Sequence, residues 1–308
     1  MIEELRSLAG QITFKQKLDV FPNDNDFDRI LIFGMGASGL VGNIFQEIYS
    51  DMPVITVNDR NVPNFVNGTT LAIGISYSGN TVETVDALAE CARNGAHIRT
   101  ITSGGILGSE SYNPLIVPAG LQPRSSLGYL LIPLFRTFMS VGNSDYNETR
   151  DILAAMDSNN SDIRKMAEAL NEKGSIPFIY GFWPFRSIAY RWKTQFNENS
   201  KCLAYSGYFP EMAHNDIVAL RRTFLRDKIS FIAFDPVENR FVSERIKAIS
   251  EITETDFTLI RPRGKSLLAR LFYLIHFGDY LSYYLALERG IDPVDVSEIT
   301  ELKRRVKN

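Results

Sequence analysis

Leu71-Ala72-Ile73-Gly74-Ile75-Ser76-Tyr77-Ser78-Gly79-Asn80-Thr81 is the stretch from which the fold can be read. Residues 71–75 are apolar or small without alternation, the pattern of a strand buried on both faces. The run stops at a cluster of hydroxyls around one glycine. From residue 80 to 93 the period changes: Val82, Val85, Leu88, Ala89 and Ala92 recur at helical spacing, and Asn94-Gly95 supplies the stop. Strand, glycine turn and helix in that order form half of a βαβ unit.

The same grammar extends outward. On the N-terminal side, residues 29–33 read as a buried strand, Gly34-Met35-Gly36 as a turn, residues 38–49 as a helix and 54–57 as a strand. Residues 98–101 and 115–117 read as strands on the other side. Strands alternating with helices imply a parallel sheet covered on both faces. Residues 142–149 are polar, lack apolar periodicity and read as a linker, followed by one long helix over 149–171. The pattern then resumes with a strand at 176–180, a helix at 184–196, a strand at 229–234, a helix at 240–249, a strand at 257–260 and a closing apolar helix at 266–288. Residues 30–49 match 176–196 in order of elements, and 71–101 match 229–260, which reads as an internal duplication. The expectation is an α/β protein of two flavodoxin-like αβα domains, residues 1–145 and 146–308.

Bulk properties narrow the function. A chain of 308 residues can bury two cores. It is 44% apolar and 22% charged, with a formal net charge of −3, so no general electrostatic grip on nucleic acid or an anionic membrane is expected. Cys91 and Cys202 are too few and too distant for a disulfide framework and read as reduced core residues. The first 18 residues carry Glu3, Glu4, Arg6, Lys15 and Lys17, unlike a signal peptide. Arg270, His276 and Asp279 interrupt the longest apolar run, which favours a buried helix over a membrane span. These features imply a soluble cytoplasmic protein.

Ser76 to Thr81 lies at the carboxyl end of a strand and opens a helix. Backbone N–H groups there lack intrahelical partners, and the helix dipole favours an anion. Gly79 permits close backbone approach, and the hydroxyls supply directed hydrogen bonds. The loop contains no Lys or Arg, so it suits a compact phosphate monoester held by neutral donors and lacks the lysine of a nucleotide P-loop. The corresponding loop of the second half, Asp235-Pro236-Val237-Glu238, carries acids and proline, which predicts one phosphate site per chain. Gly34, Gly36 and Gly39 have the spacing of a dinucleotide fingerprint, but Asn58 rather than an acid follows the next strand, which argues against that ligand. A helix cap with turn glycines is the structural alternative for both loops.

Candidate chemistry comes from the second half. His97 opens a strand and His276 lies on an apolar helix face, both positions for structural histidines. The three histidines share no metal-ligand spacing, so a zinc site of the usual kind is not expected. His214 lies in the polar segment Pro210-Glu211-Met212-Ala213-His214-Asn215; a helix-start residue bonded to backbone is its structural alternative. Ile188, Trp192 and Phe196 mark the buried stripe of their helix, and Glu198, about 200° around from Phe196, does not join it. Glu198 faces the negative end of the helix dipole, a poor place for a solvated charge and a suitable one for a group that takes up a proton. Arg124 precedes Ser125-Ser126, read as the cap of the next helix, where a cation would stabilise an oxyanion. Lys303 sits in the charge-rich segment from Glu301 to Lys307. Solvated surface side chains remain the alternative for Glu198, Arg124 and Lys303.

Together the turn Gly34-Met35-Gly36-Ala37-Ser38, the loop Ser76-Tyr77-Ser78-Gly79-Asn80-Thr81, Pro123-Arg124-Ser125, the segment Tyr190 to Asn199 and Pro210 to Asn215 resemble the archaeal-type bifunctional phosphoglucose/phosphomannose isomerases, built from two sugar isomerase (SIS) domains. The resemblance covers nearly the whole chain. It implies that Ser38, Ser76, Ser78 and Thr81, with the backbone at Gly36 and Gly79, hold the phosphate of a hexose 6-phosphate. It implies Glu198 as the base that carries a proton between C1 and C2, and Arg124 as the group that stabilises the cis-enediolate. His214 would assist ring opening from the partner subunit of a homodimer, with Lys303 as its companion. No metal and no organic cofactor is expected. An SIS-type aminosugar-phosphate isomerase or deaminase and a sugar-phosphate-sensing binding module are the competing readings.

Overall fold

The computed structural model describes residues 1–20 and 27–306. They form two compact units, Arg6–Arg150 and Met1–Leu5 with Asp151–Asn308. Two short helices, α1 (Ile2–Arg6) and α2 (Leu8–Gln11), open the chain. The first unit then runs β1 (Arg29–Phe33), α3 (Gly36–Ile48), β2 (Val54–Val57), β3 (Thr70–Ile75), α4 (Val82–Arg93), β4 (His97–Thr102), β5 (Pro114–Ile116) and α5 (Leu127–Phe138). Its five parallel strands lie in the order β2-β1-β3-β4-β5, a flavodoxin-like sheet. β3 is buried along its whole length, which is why its sequence shows no alternation. On one face Leu31, Phe33 and Ala72 pack with Ala87, Leu88 and Cys91 of α4.

The second unit follows the same plan. α6 (Asn143–Ser158) crosses the division between the units, and α7 (Ser161–Lys173) leads into β6 (Ile176–Phe182). Then come α8 (Arg186–Ser200), β7 (Tyr205–Phe209), α9 (Asp216–Arg222), β8 (Ile229–Phe234), α10 (Arg240–Thr253), β9 (Thr258–Ile260), α11 (Leu267–Glu288) and α12 (Ser297–Arg305). The parallel sheet has the order β7-β6-β8-β9. Replacing β2, β1, β3 and β4 by β7, β6, β8 and β9 reproduces the first sheet without its fifth strand, so the duplication is one of topology as well as element order.

Four expectations need correction. Residues 142–149 are not a linker: α6 begins at Asn143, and the chain divides inside this helix, five residues beyond the boundary the polar stretch implied. Tyr146, Thr149, Leu153 and Met156 are buried along it at helical spacing, and the guanidinium of Arg136 lies 3.9 Å from the Tyr146 ring centroid. One aromatic and one threonine are too few apolar groups to reveal that period in sequence. The single long helix is two, broken where Asn160 takes the N-cap position of α7. β7 and α12 had no strand or helix signal strong enough to read. Last, Ser126 precedes α5 but does not cap it; its hydroxyl donates to the Pro123 carbonyl (2.9 Å). Lys307, at the end of the charged segment, lies outside the described residues.

Candidate active site

The loop after β3 is held from within. Ser76 and Thr81 hydroxyls are 2.9 Å apart and hydrogen-bonded, and the Gly79 amide donates both to the Ser76 carbonyl (3.0 Å) and to its hydroxyl (3.2 Å). Ser76 is buried, Thr81 half-buried and Ser78 exposed, with the Ser78 hydroxyl accepting from the Asn80 amide (3.4 Å). Gly79 has φ +70°, and a Cβ there would stand 1.7 Å from the Gly104 carbonyl oxygen. The Thr81 carbonyl accepts from Thr84 and Val85 to start α4, leaving its first amides open at the loop. The result is an internally fixed loop of hydroxyls and amides at the positive end of a helix, without a basic side chain of its own.

The turn after β1 faces the same edge of the sheet. α3 starts at Gly36 (φ +54°), two residues earlier than the periodicity implied, so Ser38 lies in its first turn and is buried. The other two glycines of the fingerprint-like spacing serve packing. A Cβ on Gly34 would meet the Ile75 carbonyl at 3.0 Å, and one on Gly39 would meet the Asn58 amide oxygen at 2.4 Å. Asn58 thus fills the place where a dinucleotide site carries its acid.

Arg124 is not on the surface. It sits in a single 3-10 turn, Pro123–Ser125, packed against α3, and is 5% exposed. Tyr77 links this region to the hydroxyl loop: its buried hydroxyl donates to the Pro118 carbonyl (2.9 Å) and accepts from the Leu121 amide (3.1 Å). Sequence reading passed over Tyr77. The one aromatic in a loop of small polar residues was the available signal.

In the second unit Glu198 lies in the last turn of α8, which continues past Phe196 to Ser200. Its side chain is half-buried. The rotation of α8 is fixed on both sides. Trp192 stacks on Phe277 of α11 (5.5 Å, 3°) and donates from Nε1 to the Leu274 carbonyl (2.8 Å). On the polar side, Asp279 of α11 accepts from Arg191 Nε (3.0 Å) and Nη2 (2.7 Å) and from Gln195 (2.9 Å), and Asn199 donates to Ser282 (2.9 Å). Glu198, seven residues after Arg191, falls nearly in line with it along the helix. Lys201, at φ +49°, ends the helix and donates from Nζ to the carbonyls of Glu198 (2.8 Å), Asp292 (3.0 Å) and Asp295 (2.5 Å). A cleft of about 400 Å³ results, with Glu198 and Lys201 on one side and Asp295, Val296 and Glu298 on the other. A lysine just past a helix end was the sequence signal for this clamp.

His214 is elsewhere in that unit, exposed at the end of the 3-10 turn Glu211–His214 between β7 and α9. Its segment is anchored by Asp216, which accepts from Tyr180 (3.1 Å) and Tyr205 (2.8 Å). Burial, with the Asp216 carboxylate second, holds the Tyr180 phenol well above its ordinary range and pushes Tyr205 up to about 12, so both remain donors. Lys303 is exposed on α12. Neither His214 nor Lys303 lines the Glu198 cleft. The other histidines are structural in setting: His97 opens β4, and the buried His276 bonds Asp157 (2.7 Å). Among the described residues no group of three or more His, Cys, Asp or Glu is placed to hold a metal ion, and no helix is long and apolar enough to cross a membrane.

Residues 25–125 match the SIS domain and residues 159–306 the bacterial phospho-glucose isomerase C-terminal SIS domain. The chain is 48% identical to a bifunctional phosphoglucose/phosphomannose isomerase of Thermoplasma volcanium over 99% of this chain and 98% of the relative. It belongs to that family. A second relative of the same description, from Thermoplasma acidophilum, is 46% identical over 99% of this chain and 96% of its own. At the level of fold alone, a glucosamine-6-phosphate deaminase of Thermotoga maritima superposes with a TM-score of 0.68 at 16% identity, covering 94% of each chain. The bifunctional isomerase family thus accounts for both halves of the molecule, including the paired SIS sheets.

Proposed function

We infer that this chain is an aldose–ketose isomerase that interconverts glucose 6-phosphate, and mannose 6-phosphate, with fructose 6-phosphate through a cis-enediolate. The observation that carries this reading is the full-length similarity to the two Thermoplasma isomerases. The chemistry of the two half-sites supports it. Ser38, Ser76, Ser78 and Thr81, with the backbone at Gly36 and Gly79, hold the phosphate, and its binding energy keeps C1 and C2 in place. Glu198 removes the proton from one carbon and returns it to the other. Arg124 supplies the fixed positive charge where the enediolate oxygen develops. Its burial favours this assignment, because a desolvated guanidinium acts more strongly than one in water. The two aldoses differ only at C2 and share the enediol, so rotation about C2–C3 lets either face be protonated.

His214 opens the sugar ring from the partner subunit of a homodimer, with Lys303 as its companion. The exposure of His214 supports this, since a side chain serving a neighbouring chain must reach outward. The reaction needs neither metal nor organic cofactor and takes place in the cytoplasm. The test is conversion of fructose 6-phosphate with a chelator present, scoring both aldose products. Activity is expected to persist. Glu198→Gln is expected to lower turnover on both sugars by about 10²–10⁴-fold, the usual share of a general base. Near-normal turnover in that variant would overturn the assignment, and an enzyme inert on fructose 6-phosphate but active on an aminosugar phosphate would overturn the reaction.

A further inference from the structure

The second sheet has a crevice of its own at the place where the first carries its hydroxyl loop. β6 and β8 are neighbours, but the chain leaves them toward opposite edges of the sheet, to β7 and to β9. Such a switch point, at the carboxyl ends of the strands, is where open α/β sheets bind ligands. Here it opens into a cleft of about 610 Å³, within the range of small-molecule sites. The acids and proline of residues 235–238 alone predicted no second phosphate site, but the cleft also receives cations from outside that loop. Arg240, Lys265 and Arg270 bring three cations to the cleft, and Asp235 and Glu238 bring two carboxylates. Phe185, Pro236, Pro262 and Leu267 supply an apolar wall.

The loop that carries the acids is strained. Val237, a β-branched residue, has φ +50°, in the left-handed region such side chains avoid. Asp235 holds it there by accepting from the Val237 amide (3.0 Å). Strain of this kind persists only where the surroundings impose it and gathers at binding sites. The same turn aims Glu238 across the cleft toward Arg270, 3.7 Å away, whose Nε is already fixed on the Gly264 carbonyl (2.9 Å). Cations and carboxylates are therefore set side by side at the mouth of one apolar-walled crevice.

We propose that this cleft is a second ligand site, for a phosphate monoester carried on a vicinal diol, the chemistry shared by sugar phosphates and nucleoside monophosphates. The basic side chains take the phosphate, and a carboxylate accepts from the diol. The apolar wall takes the ring or base. The site lies outside the residues assigned to isomerisation and does not depend on that assignment.

Calorimetric titration of the full-length protein with ribose 5-phosphate, and separately with adenosine 5′-monophosphate, tests the proposal. Both are repeated on Ser76→Ala/Ser78→Ala, which disables the first hydroxyl loop; fructose 6-phosphate is left out, because as a phosphate monoester with vicinal hydroxyls it would compete for the second site. Binding is expected to persist, and Arg240→Glu/Lys265→Glu is expected to weaken it about tenfold or more. The KM for fructose 6-phosphate should stay within about twofold, which separates this site from the isomerase site. Tighter binding of the nucleotide assigns the apolar wall to a base; equal binding assigns the site to sugar phosphates. Leu267→Trp, at an exposed position, fills the cleft without changing charge and is expected to give the same loss. Absence of binding to the native protein, or unchanged affinity in both variants, would overturn the proposal.

Discussion

At position 79 a side chain has nowhere to go. The backbone there is left-handed, and any Cβ would overlap the Gly104 carbonyl oxygen. That carbonyl accepts from Thr102 Oγ1 (2.8 Å), so it is not free to retreat. Gly79→Ala must therefore push the hydroxyl loop away from the end of β4, opening the geometry that aligns Ser76, Thr81 and the amides. We expect this variant to lose about 1–3 kcal/mol of stability in a urea titration. The KM for both aldose phosphates should rise about tenfold or more, with a smaller change in kcat, because phosphate binding is weakened in ground and transition states alike. An unchanged KM would mean that the phosphate is held elsewhere.

Among the elements, α8 decides where the proposed base stands. Its aromatic side is keyed by Trp192 and its polar side by Arg191, Gln195 and Asn199, all against α11. Asp279 is the hub. It is 4% exposed and accepts from both Arg191 and Gln195. Asp279→Ala leaves a buried guanidinium without its carboxylate, an imbalance that costs about 3–5 kcal/mol. A fall of that size in chemical denaturation is the expected outcome. Asp279→Asn keeps the shape and the acceptor oxygen but not the charge. This milder variant should fold, with kcat reduced more than KM, because the last turn of α8 moves while the hydroxyl loop does not. Equal losses in kcat and KM would point to general destabilisation instead.

For the whole molecule, the proposed homodimer has a consequence that a monomer cannot imitate. If His214 serves the partner's site, Glu198→Gln and His214→Ala each disable both sites of their own dimers. Mixed after reversible dissociation, they form hybrids in which one site has both native side chains and the other has neither. Random pairing should restore roughly a quarter of native activity. No recovery, with hybrids verified by native mass spectrometry, would place His214 in its own chain's site or outside catalysis.

Much of this was legible from residues alone. Buried parallel strands announce themselves as unbroken apolar runs, so β1, β3, β6 and β8 stood out; the change of period at Thr81 marked α4. The hydroxyl loop was visible for the same reason, because small polar residues cluster between two strongly patterned elements. α6 and β7 were hidden because too few of their residues are buried to show a period: Tyr146, Thr149, Leu153 and Met156 along α6, and Phe209 alone in β7. The order of side chains along the chain determined two parallel αβα sheets, the hydroxyl loop and the candidate base. Only the tertiary structure decided that Arg124 is buried against α3, that Tyr77 ties its region to the loop, and that Asp279 and Lys201 lock the end of α8. Periodicity reports which face of an element is apolar, whereas these contacts arise where separate elements meet, and no local pattern records that.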